Sequence, residues 1–271
     1  MPSSVINGVE LHFDNTGSGQ PLVLVHGGWT DRRRWDLVAP PLAERFRVVT
    51  YDRRGHSQSE RPPGQGSVHE DVADLATLIE SLSLAPAHVV GNSFGGSITL
   101  RLAAERPDLL KSLSVHEPPL FGLLADDPAF APVLKATSDA MAGVIALLNS
   151  GDMEGGARQF MEMVLGPGAW AELTPEERET ATNNAPTFLD ESRDPESLTL
   201  DTDQLSSFTR PALLTVGSAS PPFLPPVITR VAETIPHAGR HTFEGAGHVP
   251  HHTHADLFVE VISSFVQSAT S

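Results

Sequence analysis

The segment Ala87–Ser97 constrains this chain more than any other, because an apolar, strand-like run turns at once into a helical pattern. Ser93 stands at the turn, in a Gly-x-Ser-x-Gly pattern with Gly91 and Gly95. Glycine is needed on both sides, since any side chain there would meet neighbouring backbone. The pattern predicts an exposed Ser93 hydroxyl at a sheet edge, beside the Phe94 N–H, which could serve a developing oxyanion. The alternative is an ordinary glycine-rich turn.

The apolar run Pro21–Val25 predicts a buried strand, and a glycine pair follows it directly in His26-Gly27-Gly28-Trp29. Ligands of open α/β sheets bind at the carboxyl ends of the strands, so this loop is expected near Ser93. The N–H of Gly28 or Trp29 is the expected second hydrogen-bond donor to an oxyanion. The alternative is a tight turn without chemistry.

His248 is the candidate general base, because it follows the strand-like run Arg240–Glu244 and a glycine turn at the same expected sheet edge. Three more histidines stand close by, at positions 251, 252 and 254. A zinc cluster is the alternative role for these histidines, but no cysteine or carboxylate stands at ligand spacing. The prediction is no metal and no cofactor.

The stretch from Pro119 to Phe208 differs from the rest, because helical patterns alternate there with glycine and proline breaks. We predict a core domain of residues 1–118 and 209–271 and a helical cap of residues 119–208. Four aromatic residues are candidates for substrate binding, although packing is the commoner role for each: Phe121, Trp170, Phe188 and Phe223. Apolar spacing predicts helices over Arg33–Arg45, Val68–Leu82, Val133–Leu148, Met153–Leu165 and Pro175–Asn183. Pro40-Pro41 must bend or break the first of them.

Composition restricts the partners. Eighteen basic and 34 acidic residues give a net charge of −16, which repels nucleic acid and anionic membranes. The chain has no cysteine, so disulfides and thiolate chemistry are excluded. No signal-like start and no uninterrupted apolar run of membrane length is visible, and a soluble, cytoplasmic protein is expected.

Together these motifs resemble the α/β-hydrolase superfamily. The resemblance rests on His26-Gly27-Gly28, Asp52–Ser57, Gly91–Gly96 and Gly245–His248, and it covers essentially the whole core domain. It implies an α/β fold with an eight-stranded, mostly parallel sheet and a helical lid after the sixth strand. It also implies Ser93 as nucleophile and His248 as base. Haloalkane dehalogenases and epoxide hydrolases of this fold carry aspartate at the Ser93 position, so neither fits.

The catalytic acid departs from the family pattern. Most members carry aspartate just after the seventh strand, where this chain has only Gly217–Pro221, without an acid. Some haloalkane dehalogenases and the zearalenone-cleaving lactonases carry their catalytic acid after the sixth strand instead. The resemblance to them implies that Glu117, which follows the sixth strand here, is the catalytic acid. Alternatively, Glu117 only caps the turn that follows it, and the acid is Glu244, Asp201 or Asp203.

The resemblance therefore implies a cofactor-free serine hydrolase that cleaves an ester or lactone of a hydrophobic small molecule through an acyl-enzyme. Two alternatives stay open. One is a carbon–carbon bond hydrolase of the meta-cleavage type, which uses the same residues. The other is a non-catalytic, ligand-binding homologue.

Overall fold

The computed structural model describes residues 2–269, which form an eight-stranded sheet with helices packed on both faces. The strands follow the spatial order β1-β2-β4-β3-β5-β6-β7-β8. The pairs β1–β2 and β2–β4 are antiparallel and the other five pairs are parallel, so the expected mostly parallel sheet is confirmed. The strands are β1 Ser3–Ile6, β2 Val9–Gly17, β3 Gln20–Val25, β4 Phe46–Tyr51, β5 Ala87–Asn92, β6 Leu110–His116, β7 Ala212–Gly217 and β8 Gly239–Phe243.

The predicted helices are found, with two differences. The Arg33–Arg45 pattern is broken, as its prolines indicated: a 3₁₀ turn, Arg32–Trp35, is followed by a separate short helix with Pro40 and Pro41 in its first turn. Proline lacks the N–H that a continuous helix needs, but it is well suited to a first turn. The helix predicted over Pro175–Asn183 continues to Arg193. The α-helices are α1 Ala39–Ala43, α2 Val68–Ser81, α3 Phe94–Glu105, α4 Ala131–Asn149, α5 Met153–Leu165, α6 Ala169–Glu172, α7 Pro175–Arg193, α8 Thr202–Ser206, α9 Pro225–Thr234, α10 Pro250–Thr253 and α11 Ala255–Ser268.

Each face of the sheet has its own hydrophobic core. Alternate residues of β3 divide between them, because successive side chains of a strand point to opposite faces. Val23 and Val25 lie in the core that also holds α2, α3 and α9, whereas Leu22 and Leu24 face α1 and α11. The central strands are therefore covered on both sides, which explains their continuous apolar runs.

The helices between β6 and β7 have a third, smaller core of their own. Val144 and Leu148 of α4 are buried there with Met161 of α5 and Ala185 of α7. The same cluster includes Trp29, from the loop after β3, so the helical segment closes onto the sheet edge through this indole. Its treatment as a separate cap domain stays a prediction.

Among residues 2–269, the stretch Pro128–Asn149 is the one helical segment long and apolar enough to cross a membrane, judged by length and composition alone. The exposed ion pair between Lys135 and Asp139 interrupts its apolar sequence. Long helices of packed proteins pass the same test, so this feature by itself assigns no membrane span.

The turn from β5 to α3 depends on close backbone contacts at two glycines. A Cβ atom at Gly95 would lie 2.2 Å from the carbonyl oxygen of Val25 and 2.5 Å from that of His26. At Gly91 a Cβ atom would lie 2.3 Å from the Gly95 carbonyl oxygen. The turn is therefore pressed against the end of β3, as the sequence pattern predicted.

We expect Gly95→Ala to destabilise the fold, because the added methyl group overlaps two carbonyl groups that strand pairing holds in place. Overpacking of this kind costs about 2–3 kcal/mol or more, a drop of roughly 5–10 °C in melting temperature for a chain of this size. The control is Gly66→Ala, since a Cβ atom at Gly66 meets nothing within 4 Å. Thermal melts that fall equally for the two variants would contradict the packing account.

Candidate active site

Ser93 occupies a strained position between β5 and α3. Its backbone has φ +55° and ψ −126°, a conformation that side-chain-bearing residues rarely adopt. The Ser93 N–H donates to the carbonyl oxygen of His116 at 2.9 Å, which ties the turn to the end of β6. Ser93 is half-buried, and its hydroxyl does not cap α3. Among the residues that the structure describes, the hydroxyl has no hydrogen-bond partner and is free to meet a ligand.

The loop after β3 lies directly beside Ser93. A Cβ atom at Gly27 would stand 2.9 Å from the Ser93 Cβ and 3.5 Å from its Oγ, so only glycine allows this approach. Trp29 is fully buried and has φ +65°. Within residues 2–269, no acceptor is bonded to its main-chain N–H. Phe94 is the first residue of α3, so its N–H has no intrahelical acceptor either.

His248 and Glu117 meet although 131 residues separate them. Nδ1 of His248 lies 2.7 Å from Oε2 of Glu117, and Oε1 of Glu117 accepts from the Gly217 N–H at 2.9 Å. Glu117 is completely buried and has φ +47°. The side chain of Asn92, the residue before Ser93, donates to the His248 carbonyl at 3.1 Å. Ser93 and Glu117 thus follow the carboxyl ends of the adjacent strands β5 and β6, and the loop after β8 brings His248 to the same edge of the sheet.

Contacts with two histidine rings keep the Glu117 carboxyl ionised. Burial alone would raise its pKa, but the two neighbouring histidines, His116 and His248, outweigh burial and hold that pKa well below its usual value. The other acid candidates are exposed: Glu244, Asp201 and Asp203. Asp201 instead caps α8 by accepting from the Gln204 N–H.

The four predicted pocket aromatics lie in two groups. Phe188 packs on Trp29 with ring centroids 4.6 Å apart, and its Cδ2 stands 3.9 Å from a Cβ atom placed on Gly28. Phe121 and Phe223 meet edge to face at 5.8 Å, above the ends of β6 and β7. Trp170 is buried in the core of the helical segment, with the Arg178 guanidinium above its ring. Phe188 therefore lies against the loop after β3, whereas Trp170 packs with the helices.

The described residues include one group with metal-ligand character: His116, Glu117 and His248, whose ligand atoms lie within 4.8 Å of one another. Two ligands of a tetrahedral zinc ion stand about 3.3 Å apart, because each is about 2.0–2.2 Å from the metal. The 2.7 Å between His248 and Glu117 is a hydrogen-bond distance instead. The neighbouring His251 packs against the Trp35 ring at 4.4 Å.

A buried ion pair next to the site was not marked by any sequence pattern. Glu191 of α7 bonds Nη2 of Arg53, the second residue after β4, and its Oε2 stands 3.4 Å from a Cβ atom placed on Gly28. The Arg53 guanidinium also lies 4.8 Å from the centre of the Phe94 ring. Burial raises the pKa of Glu191 to about 7, although Arg53 opposes the shift. One turn separates Glu191 from Phe188, which is the spacing that could have suggested a shared face.

Comparison with known proteins gives a consistent picture of the fold. The model of the "Alpha/beta hydrolase family" matches residues 22–261. A soluble epoxide hydrolase of Corynebacterium sp. strain C12 is 35% identical over 112 residues, 41% of this chain and 39% of that protein. The 2-hydroxy-6-oxo-2,4-heptadienoate hydrolase of Pseudomonas putida is 37% identical over 110 residues, 39% of this chain and 40% of that protein. The chain thus matches only about two fifths of either relative.

Among solved structures, Est816, described as an N-acyl homoserine lactone degrading enzyme, superposes with a TM-score of 0.79. The match covers 97% of this chain and 100% of that one at 24% sequence identity. At that identity the likeness shows the fold.

Glu191→Gln should change how stability depends on pH. The folded protein keeps the Glu191 proton up to about pH 7, whereas the ordinary value is 4.5, so the wild type loses stability as pH rises between these values. Glutamine still accepts from Arg53 but cannot ionise. Relative to the variant, the wild-type free energy of unfolding should therefore fall by on the order of 2–3 kcal/mol between pH 4.5 and 8.

Urea unfolding across this range measures the difference. The control is Glu179→Gln, an exposed carboxylate on the same helix. If both variants follow the wild-type pH dependence, Glu191 does not carry a raised pKa.

Proposed function

The chain belongs to the alpha/beta hydrolase family, and from this premise we propose that it is a serine hydrolase that cleaves an ester or lactone of a hydrophobic small molecule. One observation carries the proposal: Nδ1 of His248 lies 2.7 Å from a buried, ionised Glu117 at the sheet edge that also holds Ser93. A carboxylate in this position fixes the proton on Nδ1 and leaves the Nε2 lone pair free for the nucleophile. A non-catalytic, ligand-binding homologue would not need a histidine oriented in this way.

In the proposed reaction, Ser93 Oγ attacks the substrate carbonyl carbon while His248 Nε2 takes its proton. The negative charge on the carbonyl oxygen is stabilised by the N–H groups of Phe94 and of Gly28 or Trp29. The carbon–oxygen bond then breaks, and the leaving alkoxide receives the proton from His248. Water, deprotonated by the same imidazole, releases the acid from Ser93. Glu117 stays ionised throughout and balances the imidazolium charge.

The ester or lactone class is supported by the surroundings of Ser93. Phe188 and Trp29 give the site an apolar wall next to the oxyanion loop, which suits a hydrophobic acyl group. Est816 is described as degrading a lactone, which is a cyclic ester. It stays a prediction that the substrate is a small molecule, that nucleic acid and membranes are not partners, and that the protein is cytoplasmic.

A second candidate is hydrolysis of a carbon–carbon bond in a meta-cleavage diketone. It is favoured by the similarity to the Pseudomonas putida 2-hydroxy-6-oxo-2,4-heptadienoate hydrolase. Ser93, His248 and Glu117 would keep their roles, but the leaving group would be a stabilised carbanion. Epoxide opening is not proposed, because serine stands at the position where the family resemblance implies aspartate for that chemistry.

A hydrolysis panel separates the two candidates. It contains p-nitrophenyl esters, aromatic and macrocyclic lactones, acyl homoserine lactones and ring-fission diketones. Turnover of esters or lactones with inert diketones supports the proposal, and the reverse supports the second candidate. An enzyme inert toward all of them, yet stabilised by one in a thermal shift assay, would favour the ligand-binding homologue.

Ser93→Ala should abolish turnover of the best panel substrate while leaving its binding and the melting temperature nearly unchanged. Loss of a triad serine costs on the order of a million-fold in kcat. The matched control is Ser97→Ala, one turn further along α3, whose buried hydroxyl has no hydrogen-bond partner within residues 2–269 and should be dispensable. More than about a hundredth of wild-type activity in Ser93→Ala would refute the serine mechanism.

A further inference from the structure

A second histidine lies against the predicted catalytic acid. His116 is the last residue of β6, is buried, and pairs with Thr215 in the register of β6 and β7. Its Nδ1 lies 2.9 Å from the Thr215 Oγ1. Its Nε2 lies 3.4 Å from Oε2 of Glu117, the same oxygen that His248 Nδ1 approaches. In the geometry present, Nε2 forms no well-directed hydrogen bond to the described residues, and besides Glu117 the ring has the Gly247 backbone as a neighbouring acceptor.

The two possible positions of the proton on a neutral His116 differ in electrostatic energy. A neutral imidazole has one N–H donor and one lone-pair acceptor. If the proton sits on Nδ1, the lone pair of Nε2 faces an ionised, fully buried carboxylate with no water between them. If it sits on Nε2, the N–H points toward that carboxylate and adds a donor to it. In a buried site the second arrangement is strongly favoured.

Thr215 fits the second arrangement. Its hydroxyl has one hydrogen to give, and two acceptors are in range: His116 Nδ1 at 2.9 Å and the Val115 carbonyl oxygen at 3.2 Å. Donation to the nearer Nδ1 makes that nitrogen the acceptor and places the proton on Nε2. Donation to Val115 would instead let the hydroxyl accept from a protonated Nδ1, so the buried Glu117 carboxylate decides between the two tautomers.

We propose that His116 is neutral, carries its proton on Nε2, and acts as a positioning residue that donates to Glu117 alongside His248. The effect on catalysis rests on the proposed serine-hydrolase function, whereas the tautomer does not. A second donor shares the carboxylate charge, and it fixes the orientation of Glu117 in a backbone conformation that is strained.

The sign of the catalytic effect follows from shared charge. With His116 donating, Glu117 presents less negative charge to His248 and stabilises its imidazolium less. The other titratable groups nearby are His251 of α10, with Arg34 beyond it, and His241, which packs on Phe243 of β8. Burial holds the pKa of His251 well below its usual value, so it stays neutral as pH falls through the working range.

The tautomer can be read without substrate. In the protein labelled with ¹⁵N-histidine, long-range ¹H–¹⁵N spectra distinguish protonated from unprotonated ring nitrogens, and the signals lost in His116→Gln identify His116 among the 12 histidines. We expect a protonated Nε2 and an unprotonated Nδ1 at neutral pH. A proton on Nδ1, or on both nitrogens, overturns the proposal whether or not the protein is a serine hydrolase.

Activity tests the positioning role with two variants of equal length. Glutamine can place an N–H where Nε2 stands, whereas methionine fills similar space without a donor. For His116→Met we expect a kcat about tenfold lower and an acid limb of kcat/KM shifted up by about half a pH unit or more. His116→Gln should keep the wild-type pH profile. Equal losses in both variants with unshifted profiles would mean that His116 only packs.

Discussion

The site depends on the hydrogen bonds that the buried Glu117 carboxylate accepts. An ionised carboxyl removed from water is costly unless hydrogen bonds replace its hydration. Here the backbone N–H of Gly217, the last residue of β7, and Nδ1 of His248, in the loop after β8, supply these hydrogen bonds. Because β6 and β7 are adjacent parallel strands, an acid at the end of either one can address the same imidazole. The absence of an acid after β7 is therefore compatible with an intact hydrogen-bonded pair.

Strain is concentrated at the same sheet edge. Trp29, Ser93 and Glu117 follow β3, β5 and β6 respectively, and each has a positive φ, between +47° and +65°. Such conformations cost about 1–3 kcal/mol each, and they persist because the sheet and the close glycine contacts hold them. The strained backbone turns the Ser93 side chain out of the sheet and the Trp29 indole into the core of the helical segment. Within residues 2–269, Asn7, Ser57 and Ser83 also have positive φ, but only Trp29, Ser93 and Glu117 stand at the ends of strands that border the site.

The sequence predicts much of this arrangement because its signals are local. Continuous apolar runs indicate doubly covered strands, and the glycines around Ser93 indicate the sharp turn. Glu117 could be named since its strand end adjoins the acid-free turn after β7. The contact between Arg53 and Glu191 could not be predicted, because 138 residues separate the two. Glu191 also lies on a helix whose position in the fold no local sequence pattern determines. The tautomer of His116 likewise depends on how its ring is placed against the Glu117 carboxylate, which becomes visible only in three dimensions.

The central claim, that Glu117 is the catalytic acid, is tested most directly by kcat of Glu117→Gln on the best ester or lactone. Glutamine keeps the shape but removes the charge that fixes the His248 tautomer, so kcat should fall roughly 10⁴-fold. Ser220 lies in the acid-free turn after β7, and its Oγ stands 2.7 Å from a Cβ atom placed on Gly217. Adding Ser220→Asp to the Glu117→Gln variant should therefore restore part of the lost kcat. Exposed Glu244→Gln serves as the control and should retain full activity. A Glu117→Gln enzyme within tenfold of wild type, with an inactive Glu244→Gln or Asp203→Asn, would contradict the account.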